Sequence, residues 1–216
     1  MNVTIIGTGN MAKGIGTRLV AGGHAVTLVG RDPDEAESLA SKLRASSVKG
    51  TSVSTATLEN VVFGDVVILG LGYDVSLEVA KTQGDRLKGK VVVDISNPLN
   101  VTYDGLAIPA DTSAAEELAK VLPADAKVVK AFNTTFAGTL VNGNVNGTPL
   151  DVFIAGDDET AKQTLSQLIT DGGMVAVDVG PIKNARLLES LGLLGIMLQV
   201  KHNLGYATAW KLVLPN

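Results

Sequence analysis

Within its first dozen residues the chain runs from Val3-Thr4-Ile5-Ile6 straight into Gly7-Thr8-Gly9-Asn10-Met11-Ala12. No other stretch constrains the fold as much. A short β-branched run reads as a strand, and the GxGxxA pattern behind it demands a sharp turn followed by a helix. Gly7 permits the tight turn, Gly9 lets backbone approach a diphosphate, and Ala12 keeps the helix close to the sheet. The helix N-terminus then aims unpaired N–H groups at an anion. Ala12 and Gly16 lie four residues apart, so the small-residue face continues for another turn. Gly22-Gly23-His24 and a second apolar run, Ala25–Val29, complete the strand–turn–helix–strand setting. That setting separates a dinucleotide fingerprint from an ordinary glycine turn.

The same alternation carries on. Val66–Leu69, Val91–Asp94, Lys127–Phe132, Val152–Ala155 and Val175–Val179 are short, β-branched and largely non-alternating, as strands covered on both faces are. Between them the helices announce their ends. Asp32-Pro33 predicts an N-cap and first helical residue, with Ala36, Leu39, Ala40 and Leu43 on one face. Ser113 to Glu116 is a capping box before Leu118 and Leu122. Asp157 opens a helix with Ala161, Leu165, Leu168 and Ile169 inward and Gly172 as its stop. Such repeats predict βαβ units and a doubly wound, mostly parallel α/β sheet. Gly138 to Gly147 reads as an exposed loop. A last helix, about Ala185 to Lys201, is apolar nearly all round, which suits a core helix or a face for a second copy.

Composition narrows the functional classes. The 216 residues hold no cysteine and two histidines, His24 and His202, which excludes disulfides and thiolate metal sites and fits a reducing cytoplasm. A formal net charge of −4 argues against a broad nucleic-acid footprint. The longest apolar run, Leu191 to Val200, is about half of the roughly 20 residues a membrane span needs. Met1 leads directly into the first strand, so no leader or membrane anchor is expected.

Ligands of parallel sheets bind outside the carboxyl ends of the strands. At the end of the second run stand Gly30 and Arg31, with no carboxylate at the strand end itself. A cation there suits the 2′-phosphate of NADP(H), with Gly30 leaving room; Asp32 is the rival, able to swing to a ribose unless capping occupies it. Three further strand ends complete the wall: Gly70-Leu71-Gly72-Tyr73, Asp94-Ile95-Ser96-Asn97-Pro98 and Phe132-Asn133-Thr134-Thr135. Ser96, Asn97 and Pro98 suit either turn chemistry or the nicotinamide side. Lys130 suits a buried ion pair or a substrate contact, Tyr73 rim packing or stacking, and Asp94 a structural acceptor. No Tyr-x-x-x-Lys pair is present and neither histidine lies at a strand end, so a proton relay is missing. Hydride transfer between two cofactors needs position and electrostatics alone, which favours a flavin-like acceptor.

Taken together these residues resemble the NADPH-dependent reductases of the deazaflavin coenzyme F420 and their bacterial relatives. The resemblance runs the whole chain. It rests on Ile5 to Ala12, Gly30-Arg31, Asp94 to Pro98, Val129-Lys130-Ala131-Phe132-Asn133-Thr134, and Gly180-Pro181-Ile182 with Ala185-Arg186 and Glu189. It implies a Rossmann-type sheet of about eight strands with helices on both faces, one unit over residues 1–216, extended from about residue 125. It also implies direct hydride transfer between nicotinamide C4 and the facing ring of F420, FMN or FAD, within a homo-oligomer. The superfamily includes the flavin-using cytoplasmic domain of metalloreductases. A flavin-mediated metal-ion reductase and a non-catalytic NADP(H)-sensing module are therefore the alternatives. Asp34 and Glu35 make the turn after Arg31 acidic, which implies a weaker preference for NADP(H).

Overall fold

The short β-branched runs of the sequence become strands of one sheet, and the alternation of their side chains builds two cores. The computed structural model describes residues 1–48 and 50–215. Its strands are β1 (Asn2–Ile6), β2 (Ala25–Val29), β3 (Val53–Ala56), β4 (Val66–Leu69), β5 (Val91–Asp94), β6 (Lys127–Lys130), β7 (Asn144–Val145), β8 (Thr148–Pro149), β9 (Asp151–Gly156) and β10 (Val175–Asp178). Its helices are α1 (Asn10–Ala21), α2 (Pro33–Ser46), α3 (Tyr73–Gln83), α4 (Ala114–Val121), α5 (Ala137–Asn142), α6 (Glu159–Asp171) and α7 (Ala185–His202).

Eight strands form the sheet in the order β10-β9-β6-β5-β4-β1-β2-β3, while β7 and β8 make a separate hairpin. From β3 to β6 all pairs are parallel, the doubly wound Rossmann order; β9 pairs antiparallel with β6, and β10, parallel to β9, runs with it against the rest. Ile5, Ile68, Val93 and Val129 point to one face, under Ile15 and Leu19 of α1, Leu43 of α2 and Leu165 of α6. Ile6, Leu69, Val92 and Val128 point to the other, under Val79 of α3, Leu118 of α4 and Ala185 of α7. Helices thus cover both faces, which is why the strands read as continuous apolar runs. The order in which successive strands are laid across the sheet reverses between β1 and β4, and at that point the carboxyl ends of the strands leave a crevice.

Five local expectations need correction. Val53–Ala56 is a strand that the sequence hides: it is the sheet edge, with only Val53 buried, and Ser54 and Thr27 exchange a hydroxyl hydrogen bond there. Lys127–Phe132 stops being strand at Lys130, because Phe132 takes φ 61°. Asp158, not Asp157, caps α6 by accepting from the Ala161 N–H, and Asp157 accepts instead from Ile182 N. The stretch from Gly138 to Gly147 is no loop: α5 and the β7 strand occupy most of it, ordered by Gly143 in the left-handed conformation and by packing on α1.

The fifth is α7, which is not a core helix. Its buried face is Leu188, Glu189, Gly192, Gly195 and Gln199, whereas Leu187 is 69% and Val200 72% exposed, with Leu194 and Met197 beside them. A Cβ on Gly192 would press on Asn97, and one on Gly195 would meet Trp210 Nε1 at 3.2 Å and Phe136 at 3.6 Å. Close approach to those side chains demands small residues at Gly192 and Gly195 and leaves Leu187 and Leu194 facing out.

Candidate functional site

Because β2, β1, β4, β5 and β6 are neighbours and parallel, their carboxyl-end turns line one edge of the sheet. Four inter-strand steps of about 4.8 Å spread them over roughly 19 Å. Gly30-Arg31, Gly7 to Ala12, Gly70 to Tyr73, Ser96 to Pro98 and Asn133 fall along that edge in this order. The topology therefore brings the sequence-derived set together.

At the middle of the edge, Gly7 adopts φ +120°, and a Cβ there would collide with the Gly70 carbonyl oxygen. The turns after β1 and β4 touch through backbone, which only glycine allows. Beyond them the backbone opens: a Cβ at Gly9 or Gly72 would meet nothing within 4 Å. These two glycines are the N-caps of α1 and α3, and neither helix receives a side-chain cap. By contrast Asp32, Ser113 and Asp158 cap α2, α4 and α6 with their own side chains. The first-turn N–H groups of Asn10, Met11 and Ala12 stay available on a 12-residue helix with no acid in its first turn, an anion seat by charge and geometry. Thr8 and Met11 are half-buried and Asn10 exposed, while Ala12 is fully buried against the sheet.

Toward β2 the site is polar and open. A cleft of about 660 Å³ runs beside the β1–α1 turn, lined by Thr8, Asn10, Lys13, Asp34, Glu35 and Lys42 among others. Arg31, two residues beyond the end of β2, is exposed. Gly30 has a packing reason to be glycine: a Cβ would stand 2.8 Å from the Thr8 methyl and 3.1 Å from Ala36 Cβ. Asp32 is held as the cap of α2, its Oδ1 accepting from Asp34 N at 2.8 Å and Glu35 N at 3.4 Å. It does not swing toward a ribose.

Toward β6 the site is buried, and its charged groups are paired. Asp94 and Lys130 are cross-strand neighbours on β5 and β6. Lys130 Nζ donates to Asp94 Oδ2 at 2.8 Å, to the Ser96 carbonyl, and to Glu189 Oε1 of α7 at 2.7 Å. Glu189 Oε2 accepts from Ala114 N at the start of α4, and Asp94 Oδ1 accepts from Ser96 N. Lys130 and Glu189 are wholly buried and Asp94 is 1% exposed. Burial pushes the Glu189 carboxyl above the usual carboxylate range, against the pull of Lys130 and of the Ala114 N–H. Lys130 is therefore an ion-pair partner inside the fold, and Asp94 a structural acceptor. Burial also raises the Tyr73 phenol, with Glu117 and Asp74 adding to it; Tyr73 is half-buried as the first residue of α3.

Asn97 and Asn133 clasp each other. Asn97 Nδ2 donates to the Asn133 carbonyl at 2.8 Å; Asn133 Nδ2 donates to Asn97 Oδ1 at 2.9 Å and to the Leu188 carbonyl at 2.8 Å. Asn133 is set in place by a γ-turn in which its N–H bonds back to Ala131 at 2.8 Å across Phe132. A buried aromatic at φ 61° is strained backbone, of a kind that gathers at functional sites. Three buried oxygens at these strand ends, Ser96 Oγ, Asn133 Oδ1 and Thr134 Oγ1, have no hydrogen-bond partner among the described residues. Together with the open glycine cradles, they are groups that a polar ring and a diphosphate would satisfy, so the residues fit a dinucleotide. Sequence reasoning assigned no role to Glu189, Gly192 or the Phe132 turn. The signal for Glu189 was a lone acid in the most apolar helix of the chain.

Among the described residues no group of three or more His, Cys, Asp or Glu is arranged to hold a metal ion, and no helix is long and apolar enough to cross a membrane.

The comparisons with known proteins agree with this geometry. Residues 2–98 match the model of the family described as NADP oxidoreductase, coenzyme F420-dependent. The chain is 31% identical over 212 residues to the F420-dependent NADP reductase of Methanocaldococcus jannaschii, covering 94% of each protein. It is 33% identical over 191 residues to the metalloreductase STEAP3 of Rattus norvegicus, covering 88% of this chain but 36% of that protein. Among solved structures, a candidate F420-dependent NADP-reductase from Arthrobacter sp. FB24 superposes with a TM-score of 0.81 at 26% identity, over 98% of this chain and 99% of that one. On its fold, its fingerprint turn and these relationships, the chain belongs to the family of F420-dependent NADP oxidoreductases.

Proposed function

We propose that this chain passes hydride between NADP(H) and coenzyme F420. The observation that carries the reading is the uncapped α1 N-terminus behind an open Gly9, with Arg31 at the neighbouring strand end. In this reading Gly7 to Ala12 hold the diphosphate and Arg31 the 2′-phosphate. Gly70 to Tyr73, Ser96 to Pro98 and Asn133 frame the nicotinamide and the ring that faces it. The nicotinamide supplies the hydride chemistry; the protein contributes position, exclusion of water and fixed dipoles. No side-chain proton relay is required, which suits the absence of one at these strand ends. Residues 1–216 act as one nucleotide-binding unit, in the cytoplasm that a cysteine-free chain fits.

The test is anaerobic turnover of NADPH with purified F420, FMN and FAD. Reduction of F420 with stoichiometric loss of NADPH supports the reading, and silence with every acceptor sinks it. Tight, redox-selective binding without turnover would turn the assignment to a sensing module. The metalloreductase relationship favours a second reading, metal-ion reduction through a bound flavin; flavin absorbance in the purified protein is its signature.

We also propose that α7 pairs with a second copy. Its outward stripe of Leu187, Leu194, Met197 and Val200 is the apolar surface that a helix of this length otherwise leaves in water. The double change Leu187→Lys and Val200→Lys is expected to yield monomers in sedimentation without loss of folding. An unchanged oligomeric state in that variant, or a monomeric native chain, contradicts the pairing.

A further inference from the structure

Glu35 stands where an acid least suits a site for NADP(H). Thr8 Oγ1, in the fingerprint turn, donates to Glu35 Oε2 at 3.4 Å across the cleft beside α1. Asp34 lines the same cleft, and Asp32 is already committed to capping α2. Glu35 is thus the carboxylate that reaches the turn on which a diphosphate would sit. A dinucleotide seated on the α1 N-terminus lays its adenosine ribose toward the end of β2. There the Glu35 carboxylate accepts from a free 2′-hydroxyl, and it repels a 2′-phosphate, which carries close to two negative charges at neutral pH. Lys13 and Lys42 line the same cleft, and with Arg31, exposed just past the end of β2, they keep the phosphate from being excluded.

We infer that Glu35 is a specificity-determining residue that makes this chain accept NAD(H) alongside NADP(H). Arg31 draws the phosphorylated nucleotide, and Glu35 draws the unphosphorylated one. The inference rests on the dinucleotide part of the proposed function and is independent of the acceptor's identity. It gives the cleft a mixed charge for a reason: neither nucleotide meets a field of a single sign.

The experiment is calorimetric titration of the full chain with NADPH, NADH, 2′,5′-ADP and AMP, repeated for Glu35→Gln and Glu35→Lys. Glu35 is exposed and, among the described residues, its side chain has Thr8 as its only partner, so both variants are expected to melt close to the native chain. The native chain should prefer NADPH over NADH by less than about tenfold. Glu35→Gln should raise that ratio about tenfold through opposite changes in the two affinities, and Glu35→Lys should raise it further. The 2′,5′-ADP to AMP ratio should move in parallel, which places the effect at the adenosine end. A native preference above a hundredfold, or a ratio unmoved by either variant, overturns the inference while leaving the dinucleotide site intact. Failure of the native chain to bind any of the four removes the dinucleotide reading, and the inference with it.

Discussion

The two ends of the candidate site are built on opposite principles. At β2 the polar groups are exposed, their charges are mixed, and their hydrogen bonds are few and long, as Thr8 with Glu35 shows. At β5 and β6 one lysine and two carboxylates are sealed from solvent and tied to three backbone groups, the Ser96 N–H and carbonyl and the Ala114 N–H. The difference teaches which end can be retuned. Exposed charges contribute little to stability, so the β2 end is free to set nucleotide choice. A buried ion cluster is strongly destabilised when one member is removed, so the β6 end is bound to the architecture that aims Asn97 and Asn133.

Substitutions at the buried end should therefore have the largest effect. Lys130→Met leaves Asp94 and Glu189 unpaired and buried, and urea titration should show a loss of about 3–5 kcal/mol. A loss below about 1 kcal/mol would mean that the cluster is not sealed as described. At the open end, Arg31→Glu should leave the melting temperature nearly unchanged. It should cost NADPH affinity at least about tenfold while altering NADH affinity by less than about threefold. Equal losses for both nucleotides would remove Arg31 from the site and collapse the contrast between the ends.

The smallest effect lies away from both, at the opposite edge of the sheet. His24 Nδ1 lies 3.2 Å from the Met1 amino group and Nε2 lies 3.1 Å from Asp171. Burial, aided by that amino group, holds the imidazole below its usual pKa of 6.5, although Asp171 pulls it back up. The unfolded chain then takes up a proton first as pH falls below about 6.5, so stability drops from there until the folded imidazole also protonates. The drop should be under about 1 kcal/mol and should vanish in His24→Gln. A pH profile that the variant leaves unchanged assigns it to other groups.

The legible parts of this molecule were those where sequence-local chemistry decides structure. Gly7, Gly9 and Ala12 specify a turn that backbone sterics nearly force, and Asp32 and Ser113 cap the helices their spacing announces. The illegible parts depend on partners distant in sequence. Val53–Ala56 is a strand because β2 offers it an edge, not because its own residues are apolar. Glu189 finds Lys130 across 59 residues; each is a charge among mostly apolar neighbours, and nothing local tells which partner it meets. Helix α7 looked like core by composition, yet the side chains it meets at Gly192 and Gly195 leave Leu187 and Leu194 outward. Asp157 and Asp158 are adjacent acids before one helix, and the choice between them falls to Ile182, 25 residues further on.

Hydride transfer at the carboxyl edge of the sheet is the central claim, and a single-turnover measurement tests it most directly. The native chain is loaded with NADPH and mixed with oxidised F420 in the absence of oxygen, while both chromophores are followed. The account predicts loss of one NADPH for each F420 reduced, with transfer abolished or strongly slowed when Gly9→Val fills the open diphosphate cradle. Binding of NADPH with no reduction of F420, in a native chain that is fully folded, would contradict it.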